Sequence, residues 1–110
     1  MIIGSIGLKK IDARHAEIKK FFVKESYRGK GVARKLLYSL LKSAAKHRFI
    51  YLYLGTVDVL HAAQRFYSKY GFLRIKQSDL PNGFIKCELD TVFFKVTTKE
   101  LQTKLAEQMD

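Results

Sequence analysis

The chain holds a single cysteine, Cys87, in 110 residues. That excludes an intramolecular disulfide and fits a reducing cytosol. Cys87 reads as a small half-buried residue before it reads as a nucleophile. No apolar run approaches the roughly 20 residues that a bilayer span needs. Met1-Ile2-Ile3-Gly4 lacks the basic start, apolar stretch and small-residue cleavage site of a secretion signal, so a cytoplasmic location is expected. No His, Cys, Asp or Glu spacing matches a metal site, and none is expected. There is no internal repeat, low-complexity segment or linker. Acids are scarce: 10 Asp and Glu stand against 21 Lys and Arg, a formal net charge of +11. Such a surface attracts phosphates, whether of nucleic acid, an anionic membrane or a phosphorylated cofactor. The bland alternative is a basic surface with no charged partner. The basic residues are scattered instead of blocked, which weakens a nucleic-acid-tail reading.

What is present suits one small domain. Hydrophobic residues make up 47% of the chain, enough for a single core, so wholesale disorder is excluded. Ile2 to Leu8 is apolar and glycine-interrupted, and His15 to Val23 is expected to pair with it as a hairpin across the polar Lys9 to Arg14. Val32, Leu36, Leu37, Leu40, Leu41, Ala44 and Ala45 recur at helical spacing, predicting a helix from about Gly31 to His47. Phe49 to Leu54 reads as a strand covered on both faces, ended by Gly55. A second helix is expected from His61 to Tyr70, with Gly71 as its left-handed terminator. Phe72 to Gln77 and Glu88 to Val96 read as strands, with the turn residues Leu80-Pro81-Asn82-Gly83 between them. Thr97 and Glu100 form a capping box for a last helix carrying Leu101, Leu105 and Met109. That stripe suits docking on the parent domain or on a second copy, or fraying. Residues 1–96 form the expected domain and 97–110 a carboxy-terminal helix or tail.

The stretch that carries chemistry is Tyr27-Arg28-Gly29-Lys30-Gly31-Val32-Ala33, followed at once by the first helix. Glycines let a backbone bend tightly around an anion, and the helix start adds free N–H donors and the positive dipole end. The order is not that of a nucleotide-triphosphate P-loop, because Val32 follows Gly31. It is not a Rossmann fingerprint either, because the third glycine is replaced by Arg34. Taken alone, it is equally a loop that merely starts a helix.

Its surroundings are more specific. Ala16-Glu17-Ile18, Val23, then Arg28, Gly31 and Ala33 ahead of Leu36-Leu37 resemble the central motif of the GNAT acetyltransferase superfamily, Gln/Arg-x-x-Gly-x-Gly/Ala. After an intervening strand, Ala62-Ala63-Gln64-Arg65-Phe66-Tyr67-Ser68-Lys69-Tyr70-Gly71-Phe72 resembles the family's second signature. The resemblance spans roughly Ile2 to Lys95. It implies an α/β fold, with a mixed, mostly antiparallel sheet flanked by helices. It also implies acetyl transfer from acetyl-coenzyme A to an amine.

On that resemblance, backbone groups near Phe22 and Val23 would pair with the pantetheine arm, and N–H groups from Arg28, Gly29, Lys30, Gly31, Val32 and Ala33 would hold the pyrophosphate. A side chain on Gly29 or Gly31 would block that approach. The side chains of Arg28 and Lys30 add charge or are simply solvated. Ala63, Phe66 and Lys69 are further cofactor-binding candidates, the last also readable as a solvated helix lysine. Tyr67 stands where family members keep a tyrosine that protonates the leaving thiolate, although it also suits packing beside Phe66. Glu17 stands where some keep a general base, or else it faces solvent or pairs with Lys19. His15 and His61 are weaker candidates.

Two departures from the family pattern stand out. The strand and helices that usually precede Ile2 are missing, so an amino-terminally truncated member is expected, with the acceptor side incomplete and a second copy as one way to complete it. Leu60 replaces an asparagine that commonly contacts the cofactor. The expected partners are a small-molecule or protein amine and a second copy of this chain, with no membrane. The leading reading is an N-acetyltransferase using acetyl-CoA as co-substrate. A non-catalytic acetyl-CoA-binding module comes second, and a nucleic-acid-binding domain, resting on charge alone, comes last.

Overall fold

A computed structural model describes residues 2–108. Strand β1 (Gly4–Lys10) turns back into β2 (His15–Val23), and the two pair antiparallel. Asp12 closes that turn, its Oδ1 accepting the Arg14 and His15 backbone N–H groups at 2.9 Å each. Helix α1 (Val32–Lys46) then leads to β3 (Tyr51–Thr56), and α2 (His61–Lys69) to the short β4 (Leu73–Ile75). An irregular segment returns the chain to β5 (Val92–Thr97), which runs into α3 (Thr98–Glu107). The five strands lie in the order β1-β2-β3-β5-β4, and only the β2–β3 pair is parallel.

The core follows from alternation. Ala16 and Ile18 of β2, Leu52 and Leu54 of β3, and Phe94 and Val96 of β5 point to one face. There they meet Leu37, Leu40, Leu41 and Ala44 of α1, and Leu101 and Leu105 of α3. Leu101 and Leu105 thus dock on the same core as α1, settled by Thr97, whose Oγ1 caps α3 by accepting the Glu100 N–H at 3.0 Å. Met109 lies outside the described residues. The opposite face carries Glu17, Tyr53 and Phe93, all buried, with Phe84 of the irregular segment edge-on against Phe93.

Four expected strand boundaries differ from the observed ones: the first strand, expected over Ile2 to Leu8, is Gly4–Lys10, so Lys9 and Lys10 belong to it and not to the turn. The strand over Phe49 to Leu54 runs instead from Tyr51 to Thr56, so Gly55 lies inside it. The strands expected over Phe72 to Gln77 and Glu88 to Val96 shrink to Leu73–Ile75 and Val92–Thr97. The reason is local competition for backbone groups. Asp79 Oδ2 accepts the Lys76 N–H at 3.1 Å and closes a tight turn, and the Asp90 N–H bonds the Cys87 carbonyl at 3.0 Å. No helix among the described residues is long and apolar enough to cross a membrane.

Candidate active site

The sheet splits after Glu17. Strand β2 pairs with β3 only through His15, Ala16 and Glu17, whereas β3 continues along β5 to Thr56. A bulge explains the divergence. Ser5 pairs with Phe22 and Gly7 with Lys19, so Ile6 stands opposite both Lys20 and Phe21. Lys20 takes a left-handed φ of 55°, and the Ser5 Oγ donates to its carbonyl at 2.8 Å. The extra residue also resets the alternation. Phe21 packs on the core, and Phe22 turns outward. A cavity of about 1160 Å³ fills the gap, lined on one side by Glu17 to Val23 and on the other by Gly55, Thr56 and α2.

One end of this cleft is the glycine turn. Gly29 and Gly31 have φ of 78° and 80°. A Cβ on either would meet nothing within 4 Å, so within the chain it is conformation, not space, that demands glycine there. Gly31 is the N-cap of α1 and offers no side-chain cap, which leaves the first N–H groups of the helix unclaimed by side chains. Arg28, Gly29, Gly31 and Ala33 line the cleft, whereas Lys30 and Val32 do not. The Arg28 Nε donates to the Val23 carbonyl at 3.1 Å, and Lys30 Nζ sits 5.8 Å from the Tyr27 ring centre. Arg34, which sequence reasoning left out of the site, also lines the cleft and donates to the Gln108 carbonyl at 2.9 Å.

Helix α2 forms the opposite wall with Ala63, Phe66, Tyr67 and Lys69. Phe66 meets Phe21 edge-on at 5.8 Å. Tyr67 is wedged among Phe21, Phe72 and Phe94, and burial pushes its phenol above the ordinary value. It therefore keeps its proton throughout the neutral range. Lys69 Nζ lies 5.7 Å from the Tyr70 ring centre. Gln64 Nε2 donates to the Asp58 carbonyl at 2.9 Å and steadies the loop into α2. Leu60, half exposed, faces the cleft.

Glu17 is buried to 4% exposure, with no hydrogen-bond partner for its Oε1 among the described residues. Lys19 Nζ stands 4.0 Å away, at the outer limit of an ion pair. Burial holds the Glu17 carboxyl above the usual carboxylate range, against the opposing charges of Lys19 and Lys9. His15 lies outside the cleft, 2.7 Å from Asp12 and stacked on Tyr51, while His61 borders the cleft at the start of α2. Cys87 is exposed, not half-buried, and lies in the irregular segment at the border of the cleft. Asp90 also reaches the cleft, and no local sequence signal marks it.

The acetyltransferase (GNAT) family model matches residues 1–72. The chain belongs to the GNAT acetyltransferase family. An acetyltransferase of the GNAT family from Staphylococcus aureus superposes with a TM-score of 0.85 at 37% identity, over 88% of this chain and 61% of that one. A GNAT structure from Elizabethkingia anophelis with acetyl-CoA bound shares the fold at a TM-score of 0.68 and 23% identity, over 88% of this chain and 69% of that one. Human N-acetylaspartate synthetase is 32% identical over 95 residues, 84% of this chain and 31% of the relative. An uncharacterised N-acetyltransferase of Mycobacterium bovis is 35% identical over 71 residues, 64% of this chain and 46% of the relative. The GNAT domain seen here thus spans well under two thirds of the curated relatives it matches.

Proposed function

We propose that the chain is an acetyl-CoA-dependent N-acetyltransferase that works by direct attack of an amine on the thioester in a ternary complex. The observation that carries this reading is the split sheet, because one cleft gathers the glycine turn, the start of α1 with no side-chain cap, Tyr67 and the buried Glu17. The chain's groups suit the cofactor. The β2 edge beyond Glu17 has no strand opposite, so its amides are available to an amide-bearing arm. The left-handed Gly29 and Gly31 and the first turn of α1 suit a pyrophosphate.

Acetyl-CoA supplies an acetyl group activated as a thioester. As the N–C bond forms, the C–S bond breaks. Glu17, kept basic enough by burial, takes one proton from the bound ammonium, directly or through water, and the neutral amine that results is the nucleophile; its second proton leaves nitrogen as the amide forms and passes through solvent to restore the Tyr67 phenol. Tyr67 gives its phenolic proton to the departing sulfur, and burial keeps that proton in place until then. A backbone N–H near Val23 polarises the thioester carbonyl. The acceptor is an amine, of a small molecule or of a protein. The vertebrate relatives are named for a small amino-acid product, which favours the small molecule.

Calorimetric titration with acetyl-CoA of the wild type and of Gly31→Glu tests the cofactor site. The acid strains the left-handed position and repels the pyrophosphate, so binding is expected only for the wild type. Equal binding would remove the turn from the site. Binding without acetylation across an amine panel would turn the reading into that of a non-catalytic acetyl-CoA module.

A further inference from the structure

We propose that Asp90 is the second carboxylate of the acceptor site, and that with Glu17 it binds the incoming amine as an ammonium ion. The inference rests on the transferase reading and adds a residue and a charge requirement to it.

The placement of Asp90 comes from β3 and β5. The Thr91 N–H bonds the Thr56 carbonyl at 2.9 Å, which pins the residue next to Asp90 to the end of β3. Asp90 then lies over Gly55. A Cβ on Gly55 would stand 2.5 Å from Asp90 Oδ2 and 2.9 Å from its Cγ. Neither is a distance that a real side chain tolerates, so the absence of a side chain at Gly55 is what admits this carboxylate. Gly55 follows Tyr53 by two residues in β3, and Tyr53 is the register partner of Glu17. Gly55 and Glu17 are therefore on the same face of neighbouring strands.

Glu17 supplies the independent sign that a ligand belongs here. Its side chain is almost wholly buried, lines the cleft and leaves Oε1 without a hydrogen-bond partner among the described residues. A buried carboxylate oxygen left this way is costly unless a donor arrives. An ammonium ion brings three donors and one positive charge. The negative charge of Asp90 adds to burial in holding the Glu17 proton, a sign that the two groups sense each other. The charged residues of the cleft are unevenly placed. Arg28 and Arg34 line it at the glycine turn, where an anionic cofactor would lie; Glu17 and Asp90 line it away from that turn, with Lys19 Nζ 4.0 Å from Glu17 Oε1. The pair of acids suits a cation better than the phosphates of the cofactor, with Lys19 as the competing charge at Glu17.

The test is amine binding to the full chain saturated with coenzyme A, which lacks the acetyl group and so prevents turnover. The probes are benzylamine, spermidine and Nα-acetyl-lysine, with benzyl alcohol as a neutral shape control. At least one amine is expected to bind the wild type, and benzyl alcohol is not. Asp90→Asn should weaken that binding about tenfold, as expected for loss of a charge-assisted contact. Asp90→Glu should recover part of it. Gly55→Ala should weaken it too, by displacing the carboxylate. Coenzyme A affinity should stay within about twofold in Asp90→Asn, which confirms that the variant is folded. No binding by any amine, binding of benzyl alcohol equal to that of benzylamine, or equal binding by wild type and Asp90→Asn would each overturn the proposal. Amine binding that obeys these expectations in a protein that acetylates none of the amines would refute the transferase reading and leave the carboxylate pair standing.

Discussion

The hydroxyl of Ser5 and the carbonyl of Lys20 are joined at 2.8 Å across the point where β1 and β2 slip in register. This bond holds the extra residue of the bulge, and the bulge steers β2 away from β3. Ser5→Ala should cost about 1 kcal/mol of stability. It should also weaken acetyl-CoA binding, because the open edge of β2 depends on the bulge. Lys20→Gly should leave stability unchanged or slightly raised, since glycine adopts the φ of 55° without strain. Lys20→Val should lose about 1–2 kcal/mol. Urea unfolding curves of the three variants, beside acetyl-CoA titrations, check this ordering.

Tyr67 separates packing from proton donation. Tyr67→Phe keeps the ring among Phe21, Phe72 and Phe94, so its melting temperature should stay near that of the wild type. Turnover should fall about 100-fold, the lower end of what a positioned acid contributes. Acetyl-CoA affinity should change little. Steady-state kinetics with thiol detection measure the loss, and unchanged turnover would remove Tyr67 from the acid role.

Glu17 sets function against stability. Its carboxyl binds a proton more tightly when folded than at the ordinary value of 4.5, because burial penalises the charge. Between 4.5 and the raised folded value, the unfolded chain carries fewer protons than the folded one. The contribution of this group to stability therefore falls as pH rises through that window and stays low above it. Glu17→Gln should be more stable than the wild type at neutral pH by roughly 1 kcal/mol. That gain should vanish below pH 4.5. The same variant should lose most turnover. In the wild type, turnover should rise with pH as Glu17 ionises, and Lys19→Ala should move that rise to higher pH by removing an opposing charge. Chemical unfolding and rate profiles across pH test both halves.

Gly31 offers a milder probe than an acid. Gly31→Ala places a Cβ in open space but at a φ of 80°. Stability should drop by about 1–2 kcal/mol from backbone strain alone. Acetyl-CoA affinity should fall as well, because the turn relaxes away from the geometry that aims the α1 N–H groups. Asn at the same position tolerates the left-handed region better and should lose less. Titration calorimetry of the pair distinguishes conformation from bulk.

Much of the fold was legible in local pattern. The apolar stripe from Val32 to Ala45 marks α1, and the Gly71 terminator marks the end of α2, because both depend on residues a few positions apart. The full extent of the irregular segment before β5 was not legible. Its turn at Leu80 to Gly83 was read, but its two ends were expected as strand, and there Asp79 and the Cys87–Asp90 turn take the backbone groups that pairing would need. The bulge at Lys20 was equally hidden, since an ordinary lysine carries no sign of a left-handed backbone.

By itself the sequence determined the glycine turn, the helix behind it and the two signatures that place the chain in its family. Each of these is written in consecutive residues whose conformational needs are local. Only the tertiary structure decided that β2 leaves β3 after Glu17, that the Glu17 Oε1 is buried with no hydrogen-bond partner among the described residues, and that Asp90 lies over Gly55 in the same cleft. Those relations join residues far apart in the chain. They depend on a strand register shifted by one extra residue at Lys20, and on the room that a missing side chain at Gly55 leaves for Asp90.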